Sequence, residues 1–269
     1  MKKVAIPKEK LIELYVDKKM TTHEIAQIYD VDRTTISNRL KEFNIDSNPS
    51  IRKYYLLKED PLTKDQKDLI VGSTLGDASV IRPKGSANSY FKIAHCEKQR
   101  DYIFWKKEIL GNLVNVVSKH EDKRGNSIMY QFNTLRHKEL NFYRNLFYQN
   151  NKKVIVPNIG NYLTPLGLTA WYLDDGNRIS KGVCCKFSTD GFSYNENVIL
   201  ANTLKANFDL NVKICEYERH STKFYYLLLN KRNFMSLTEI IKDYVIDSMK
   251  YKLSDCSSTT TCQTPDSSG

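Results

Sequence analysis

Apolar residues recur at intervals of three and four positions over residues 1–46, which predicts three short helices. Residues 8–18 carry the first apolar stripe, and the capping-box pattern Thr21-Thr22-His23-Glu24 begins the second helix. A short turn at residues 30–32 precedes the third helix, whose buried side is marked by Ile36, Leu40 and Phe43. The pattern therefore predicts a small all-α domain over residues 1–46.

The order of these segments is an apolar helix, a three-residue turn and a polar helix, which is typical of a helix-turn-helix. It resembles the helix-turn-helix of site-specific recombinases and of many regulators. The polar helix offers side chains of the types that contact base edges and phosphates, so we expect DNA contacts from Arg33, Thr34, Thr35 and Asn38. Any small three-helix bundle shares the apolar pattern, but the capping, the turn length and the donor-rich last helix favour DNA binding.

The rest of the chain divides into two similar halves, residues 63–162 and 163–253, which follow a basic linker at residues 47–62. Each half begins with an apolar helix that ends in an acid. The first half then has strand patterns near 78–83, 89–95, 113–119 and 127–134, with helices near 98–110 and 137–149. The second half has strand patterns near 177–188, 211–218 and 222–229, with helices near 193–207 and 231–245.

These patterns predict an α+β fold, a pseudo-twofold pair of αββαββα halves preceded by the small all-α domain. The offset between the halves is the size of a domain and not of a solenoid repeat. Residues 254–269 are rich in Ser and Thr and lack an apolar pattern, so we predict a disordered tail.

The 269 residues include 41 Lys and Arg against 31 Asp and Glu, a net charge of +10, and 17 Tyr. This composition favours a nucleic acid partner, although a Lys-rich proteome would produce the same charge. The sequence shows neither a membrane-length apolar run nor a signal-peptide core, so we expect no membrane partner. The six cysteines include no Cys-x-x-Cys pair, which favours free thiols and an intracellular location.

Two apolar segments, residues 69–77 and 168–176, carry the candidate chemistry. In the first, Gly72 and Gly76 form a bare stripe on one helix face, which would let a second helix approach closely. The positions aligned with them in the second segment are Ala170, which is small, and Asp174, which is not. We therefore expect two central helices whose contact becomes asymmetric towards its end.

Parallel packing of these helices would bring together Asp77 and Asp175, which are 98 residues apart. Two carboxylates at close range repel each other unless a cation binds them. A ligand set made only of oxygen atoms favours Mg²⁺ over Zn²⁺, and the histidines show no ligand spacing. Paired metal-binding carboxylates beside a basic surface are suited to phosphodiester cleavage.

The two segments resemble the paired motifs of the LAGLIDADG homing endonucleases, in the single-chain form that introns encode. The flanking residues 150–165 and 249–253 are similar to those of that subgroup, so the resemblance covers about 63–253. It implies a saddle of two four-stranded sheets over the DNA major groove and a metal-dependent DNA endonuclease.

The resemblance makes Asp77 and Asp175 the catalytic metal ligands, each serving one DNA strand. Further ligands would be the carbonyl oxygens of Gly76 and Asp174. Lys153 and Lys252 match basic positions that would polarise the scissile phosphate or the water network. The implied cofactor is Mg²⁺, for which Mn²⁺ would substitute, and the implied partner is double-stranded DNA with a long specific target, bound by a monomer.

Polar residues on the predicted hairpins are candidates for contacts with the DNA, since alternate residues of a strand face one side. In the first half these are Arg82, Lys84, Asn88, Lys92, Lys123 and Arg124. In the second half they are Arg178, Lys181, Lys186 and Lys223. Each of them could equally be a solvated surface group.

Three functions are compatible with this reading. The first is a site-specific double-strand DNA endonuclease that spreads an intron or its own gene. The second is an RNA-splicing maturase, since some family members assist intron folding and one protein can do both jobs, so intron RNA stays an open partner. The third is a non-cleaving DNA-binding regulator of the same fold, against which the two motif acids and two lysines argue.

Overall fold

The computed structural model describes residues 6–18, 20–45, 60–121, 128–179 and 184–253. The chain forms two compact units, Met1–Pro61 and Leu62–Gly269. Most of the expected linker at 47–62 and all of the expected tail at 254–269 lie outside the described residues. Within the described residues, no helix is both long and apolar enough to cross a membrane.

Three short helices form the N-terminal unit. They are α1 (Lys8–Ile12), which continues as a wider turn over Glu13–Asp17, α2 (Thr22–Ile28) and α3 (Arg33–Glu42). Thr21 and Glu24 form the expected capping box at the start of α2, and Asp32 caps α3. The core includes Leu11, Ile25, Ile36 and Leu40, with Phe43 packed at its edge.

The larger unit begins with α4 (Lys64–Leu75), named here the first motif helix. It is followed by β1 (Ser79–Ile81), β2 (Tyr90–Cys96), α5 (Arg100–Leu110), β3 (Ser118–Glu121), β4 (Ile128–Asn133) and α6 (Leu140–Phe147). The four strands form an antiparallel sheet in the order β1-β2-β4-β3. One face of this sheet carries the buried residues Val80, Phe91, Ile93 and Phe132.

A small ribbon of β5 (Tyr148–Gln149) and β6 (Lys152–Lys153) leads out of the first half. Its turn residues Asn150 and Asn151 have φ values of 48° and 63°, a left-handed conformation that asparagine tolerates. The helix predicted near 137–149 was therefore too long at its end, because the ribbon begins at residue 148 and returns the chain towards the motif helices.

The second half repeats the order of the first. It comprises α7 (Pro165–Asp175), named the second motif helix, β7 (Gly176–Ile179), β8 (Cys184–Phe187), α8 (Tyr194–Phe208), β9 (Lys213–Arg219), β10 (Thr222–Leu229) and α9 (Lys231–Ile241). The antiparallel sheet has the order β7-β8-β10-β9. The single strand predicted near 177–188 is thus two strands, and the last helix ends earlier than predicted.

The arrangement confirms the predicted α+β fold with two αββαββα halves and a separate helical region. Both motif helices are buried along most of their length, and each begins at a threonine cap, Thr63 or Thr164. Both motif helices are therefore part of the core. The polar groups of the candidate site lie at the carboxyl ends of these two helices.

Candidate active site

The two motif helices meet backbone to backbone at Gly72 and Gly167. A Cβ atom at Gly72 would lie 1.9 Å from the carbonyl oxygen of Gly167, so only glycine fits at this position. The expectation of a close helix contact is therefore met, but its small partner is Gly167 and not the aligned Ala170. At this point of the interface, therefore, the two residues in contact are not the ones that the repeat relates.

The contact becomes asymmetric at the carboxyl ends of the helices, as expected. There Gly76 packs against the side chain of Asp174, whose Cβ would be 2.5 Å from a Cβ at Gly76. The backbone N–H of Asp77 donates to Oδ2 of Asp174 at 3.4 Å. This contact places the two motif ends side by side, with Asp77 and Asp175 following directly.

The surroundings of the two motif acids differ. The Asp77 side chain is 45% exposed, whereas Asp175 is largely enclosed. Burial, followed by the carboxylates of Asp77 and Asp174, raises the pKa of Asp175 to about 8. The arrangement therefore concentrates negative charge, and a bound cation would stabilise it.

Lys153 and Lys252 occupy matching positions in the two halves. The ammonium group of Lys153 donates to the carbonyl oxygens of Gly76 and Ala78 at 3.0 and 3.1 Å. Lys252 donates to the carbonyls of Leu173, Asp174 and Gly176, at 2.6, 3.3 and 3.0 Å. Burial lowers the pKa of both lysines, while the nearby carboxylates raise it. Each lysine thus holds the backbone around one motif acid.

The carboxylate of Asp174 lies in a buried polar network that the sequence did not reveal. Its Oδ1 accepts hydrogen bonds from Tyr102 at 2.8 Å and from Lys106 at 2.6 Å. The Lys106 ammonium also lies 3.1 Å from Nε2 of His95. The side chains of Lys106 and Asp174 are both 0% exposed. One signal was available: Lys106 falls on the apolar stripe of its helix, beside Ile103 and Leu110.

Asp77, His95 and Asp174 also offer ligand atoms within 4.8 Å of one another, the spacing of a metal site. Asp174 already accepts from a tyrosine, a lysine and a backbone amide, and Lys106 places a positive charge among these groups. These contacts leave the Asp174 carboxylate poorly suited to binding a divalent cation.

The first sheet presents part of the expected DNA-binding set on the face opposite its core. Lys92 is exposed on that face, between Ser79 and Asn133 in the register. Arg82 and Lys84 are exposed in the connection between β1 and β2. Asn88, in the same connection, accepts a hydrogen bond from Asn141 at 3.1 Å. Its side chain therefore helps to hold the connection in place.

On the second sheet the expected DNA-contact residues do not all lie on one face. Lys186 lies on the outer face, with its ammonium 5.1 Å from the centre of the Tyr226 ring. Arg178, by contrast, pairs in the register with the buried Cys185, so it lies on the face that packs against helices.

Lys223 lies on that same face by strand alternation and forms an ion pair with Glu216 at 3.2 Å. Both residues thus lie on the face opposite Lys186, because a shift of one residue moves a side chain to the opposite face of a sheet. The outer face also carries Lys213, Tyr217 and Arg219, which the sequence pattern did not single out.

The remaining expected DNA contacts divide into two sets. In the N-terminal unit Arg33, Thr34 and Asn38 are exposed and Thr35 is half-buried. The Thr34 hydroxyl donates to Asp32 at 2.6 Å and so takes part in the helix cap. Lys123, Arg124 and Lys181 lie outside the described residues.

Comparison with known proteins identifies the family to which the chain belongs. Residues 67–237 match the model of the LAGLIDADG DNA endonuclease family. Cytochrome b mRNA maturase bI2 of Saccharomyces cerevisiae is 31% identical over 208 residues, which cover 72% of this chain and 48% of the maturase. The chain thus spans about half the length of that relative.

Two further proteins match most of their own length. DNA endonuclease I-ChuI of Chlamydomonas applanata is 29% identical over 210 residues, 72% of this chain and 96% of that enzyme. The structure of the homing endonuclease I-WcaI bound to its DNA recognition sequence aligns with a TM-score of 0.66 and 25% identity. That alignment covers 76% of this chain and 91% of the other.

Proposed function

Because the chain belongs to the LAGLIDADG DNA endonuclease family, we propose that it is a site-specific homing endonuclease. It would make a double-strand break and so promote the mobility of an intron or of its own gene. One observation carries the proposal: the glycine contact of the motif helices brings Asp77 and Asp175 to one end of the larger unit. The chain has both acids and a lysine beside each motif end.

The carboxylates of Asp77 and Asp175 fit a divalent cation, and Mg²⁺ is the ion that an oxygen-only donor set favours. The carbonyl oxygens of Gly76 and Asp174 would complete the set, and Mn²⁺ would substitute. When bound, the ion lowers the pKa of a water and stabilises the leaving oxygen. Burial raises the pKa of Asp175 most, and the carboxylates of Asp77 and Asp174 raise it further. A bound cation would relieve this second, repulsive contribution.

Lys153 and Lys252 would hold the backbone of the site in place and would supply positive charge beside the motif acids. Each one fixes the carbonyls on either side of the helix end, which keeps the motif acid oriented. Lys153 donates to two carbonyls, and an ammonium group has three donors. Lys153 could therefore also reach a phosphate oxygen without releasing the backbone.

The protein would bind a long double-stranded DNA target as a monomer. The outer faces of the two sheets would make the contacts with the DNA. Lys92, Lys186, Lys213 and Arg219 supply positive charge on these faces, and Tyr217 and Tyr226 supply apolar surface. If many phosphates are contacted, the affinity for the target should fall by about 10³-fold or more between 50 and 200 mM salt. A flat salt response would contradict a long interface.

We also propose that the N-terminal unit contacts DNA through α3. Its exposed Arg33, Thr34 and Asn38 support this, with Thr35 beside them. Deleting residues 1–53 should shorten the stretch of DNA that the protein protects and leave the cut position unchanged. An unchanged footprint would overturn the role of this unit but not the endonuclease activity.

The decisive experiment is cleavage of genomic DNA from a relative that lacks the gene, with Mg²⁺ present and the new ends sequenced. We expect one dominant staggered break. Asp77→Asn and Asp175→Asn should each abolish it. Asp209→Asn, an equal charge change at an exposed acid that follows α8, should not. Tight binding of one DNA without any cut would overturn the proposal in favour of a regulator.

A second candidate function is an RNA-splicing maturase, because the chain is 31% identical over 208 residues to a yeast protein named as an mRNA maturase. The test is splicing of the intron that surrounds the gene, with and without the protein. Accelerated splicing that persists in Asp77→Asn would establish this function independently of cleavage.

A further inference from the structure

His95 joins the buried network of the second motif to the acid of the first motif. Its Nε2 atom lies 3.1 Å from the ammonium group of Lys106, and its Nδ1 atom lies 3.7 Å from Oδ2 of Asp77. Lys106 in turn donates to Asp174 at 2.6 Å. A continuous line of polar contacts therefore runs from Asp174 through Lys106 and His95 to Asp77.

The chemistry of Lys106 decides which ring nitrogen of His95 carries a proton. An ammonium group donates and cannot accept, so Nε2 must act as the acceptor. The ring is neutral, because a protonated Nε2 would direct its N–H at the ammonium group of Lys106. The single ring proton is therefore on Nδ1, the atom that faces Asp77.

The distance of 3.7 Å is longer than a hydrogen bond. Catalytic hydrogen bonds are often long before substrate binds and shorten in the complex. The Asp77 side chain is 45% exposed and free to adjust, whereas the His95 side chain is only 1% exposed. The ring also packs on Tyr102, with the ring centres 4.9 Å apart. The donor is thus rigid and the carboxylate can move towards it.

This line of contacts has no equivalent on the other side of the pseudo-twofold arrangement. Its acid is Asp174, and the position aligned with it in the first motif is Gly76, which has no side chain to play the same part. Tyr102, Lys106 and His95 all come from the first half. Within the described residues, the groups on this line therefore serve the acid of the first motif.

We propose that His95 is a positioning residue that orients the Asp77 carboxylate through Nδ1–H, so that cutting of one DNA strand depends on it and cutting of the other does not. The inference rests on the proposed endonuclease function. It adds a strand-specific role for a buried histidine, whose own orientation is set by Lys106.

The test compares two substitutions that keep different parts of the ring. In His95→Gln the amide reaches the position of Nε2 and leaves the position of Nδ1 without a donor. In His95→Asn the amide lies close to the position of Nδ1 and restores a donor towards Asp77. His137→Gln is the matched control, since His137 is another buried histidine, 2% exposed like His95, and it lies next to Glu139.

The measurement is the single-turnover rate on each strand of the target identified above, with each strand labelled in turn and Mg²⁺ saturating. Asp77→Asn first shows which strand Asp77 serves. We expect His95→Gln to slow that strand by about tenfold, the value of one lost hydrogen bond. The other strand should keep its rate, so nicked DNA accumulates. His95→Asn should recover most of the rate, and His137→Gln should cut both strands normally.

Equal slowing of both strands in His95→Gln, or no slowing at all, would overturn the positioning role. So would a His95→Asn variant that melts like the wild type and slows the same strand as much as His95→Gln does. A wild-type protein that cuts neither strand would overturn the proposed function itself, which is a different result from any of these.

Discussion

The two motif helices end alike in their backbone and differently in their side chains. In both halves a lysine binds the carbonyls that surround the motif acid. In the first half the residue before that acid is Gly76, and in the second it is Asp174, whose carboxylate crosses to Lys106 and Tyr102 of the first half. The repeat therefore keeps the groups that the proposed reaction needs, while the buried contacts between the halves have diverged.

The largest effect on stability should come from removing one of the two buried charges, Lys106 or Asp174, that distinguish the halves. Lys106→Met leaves the carboxylate of Asp174 buried without a counter-charge, so the free energy of unfolding should fall by about 3–5 kcal/mol. Lys106→Met combined with Asp174→Asn should recover most of that loss, because no buried charge remains. Urea unfolding measures both.

The matched control for this prediction is Lys205→Met, which breaks the exposed ion pair with Asp209. It should cost at most about 1 kcal/mol. If Lys106→Met costs no more than Lys205→Met, the buried pair contributes little and the two halves are less different than their contacts indicate.

The next largest effect should come from the backbone contact between the motif helices, at Gly72. A Cβ at Gly72 would collide with the Gly167 backbone, so Gly72→Ala should lower the free energy of unfolding by about 3 kcal/mol. Gly191→Ala is the control, because a Cβ there meets nothing within 4 Å. Equal melting temperatures of the two variants would show that the motif helices can separate at little cost.

The pH dependence of stability should report the acid of the second half. Its folded-state pKa of about 8 lies above the ordinary 3.8. The stability that the protonated Asp175 contributes is therefore complete below about pH 4 and is lost as the pH rises through 8. Without divalent metal, the melting temperature of the wild type should fall over this range more than that of Asp175→Asn.

Adding Mg²⁺ should remove most of this difference at high pH, because the ion binds the deprotonated carboxylate and so favours the folded state. A wild-type protein that melts in parallel with Asp175→Asn at every pH, with and without Mg²⁺, would contradict the enclosed position of that acid.

The smallest effect on the free energy of unfolding should come from loss of the threonine caps, and it should be equal in the two halves. Thr63 and Thr164 each accept a hydrogen bond from the first turn of a motif helix, so Thr63→Ala and Thr164→Ala should each cost about 1 kcal/mol. Equal costs in thermal unfolding would confine the asymmetry to the carboxyl ends of the helices. A large difference would place part of it at the opposite ends.

Much of this architecture could be predicted because it is local or repeated. The capping box at Thr21, the strand patterns and the two motif acids are each visible within a few residues, and their repetition predicts the paired halves. The family and the fold are confirmed on this basis. The roles of individual site residues stay predictions.

The rest depends on geometry that a single sequence does not contain. That Gly72 meets Gly167 follows from how two helices pack, and that Arg178 faces the helices follows from a one-residue register. Lys106 and His95 come from different elements, and only folding brings them to Asp174. A lysine on an apolar helix face was the one visible sign of this network.

The buried pair of Lys106 and Asp174 also restricts how this chain could be reassembled. A symmetric dimer of the first half would bury two lysines without an acid, and a symmetric dimer of the second half would bury two acids without a lysine. Either assembly would carry uncompensated charge in its core. The two halves have thus become complementary parts, and neither can replace the other by simple duplication.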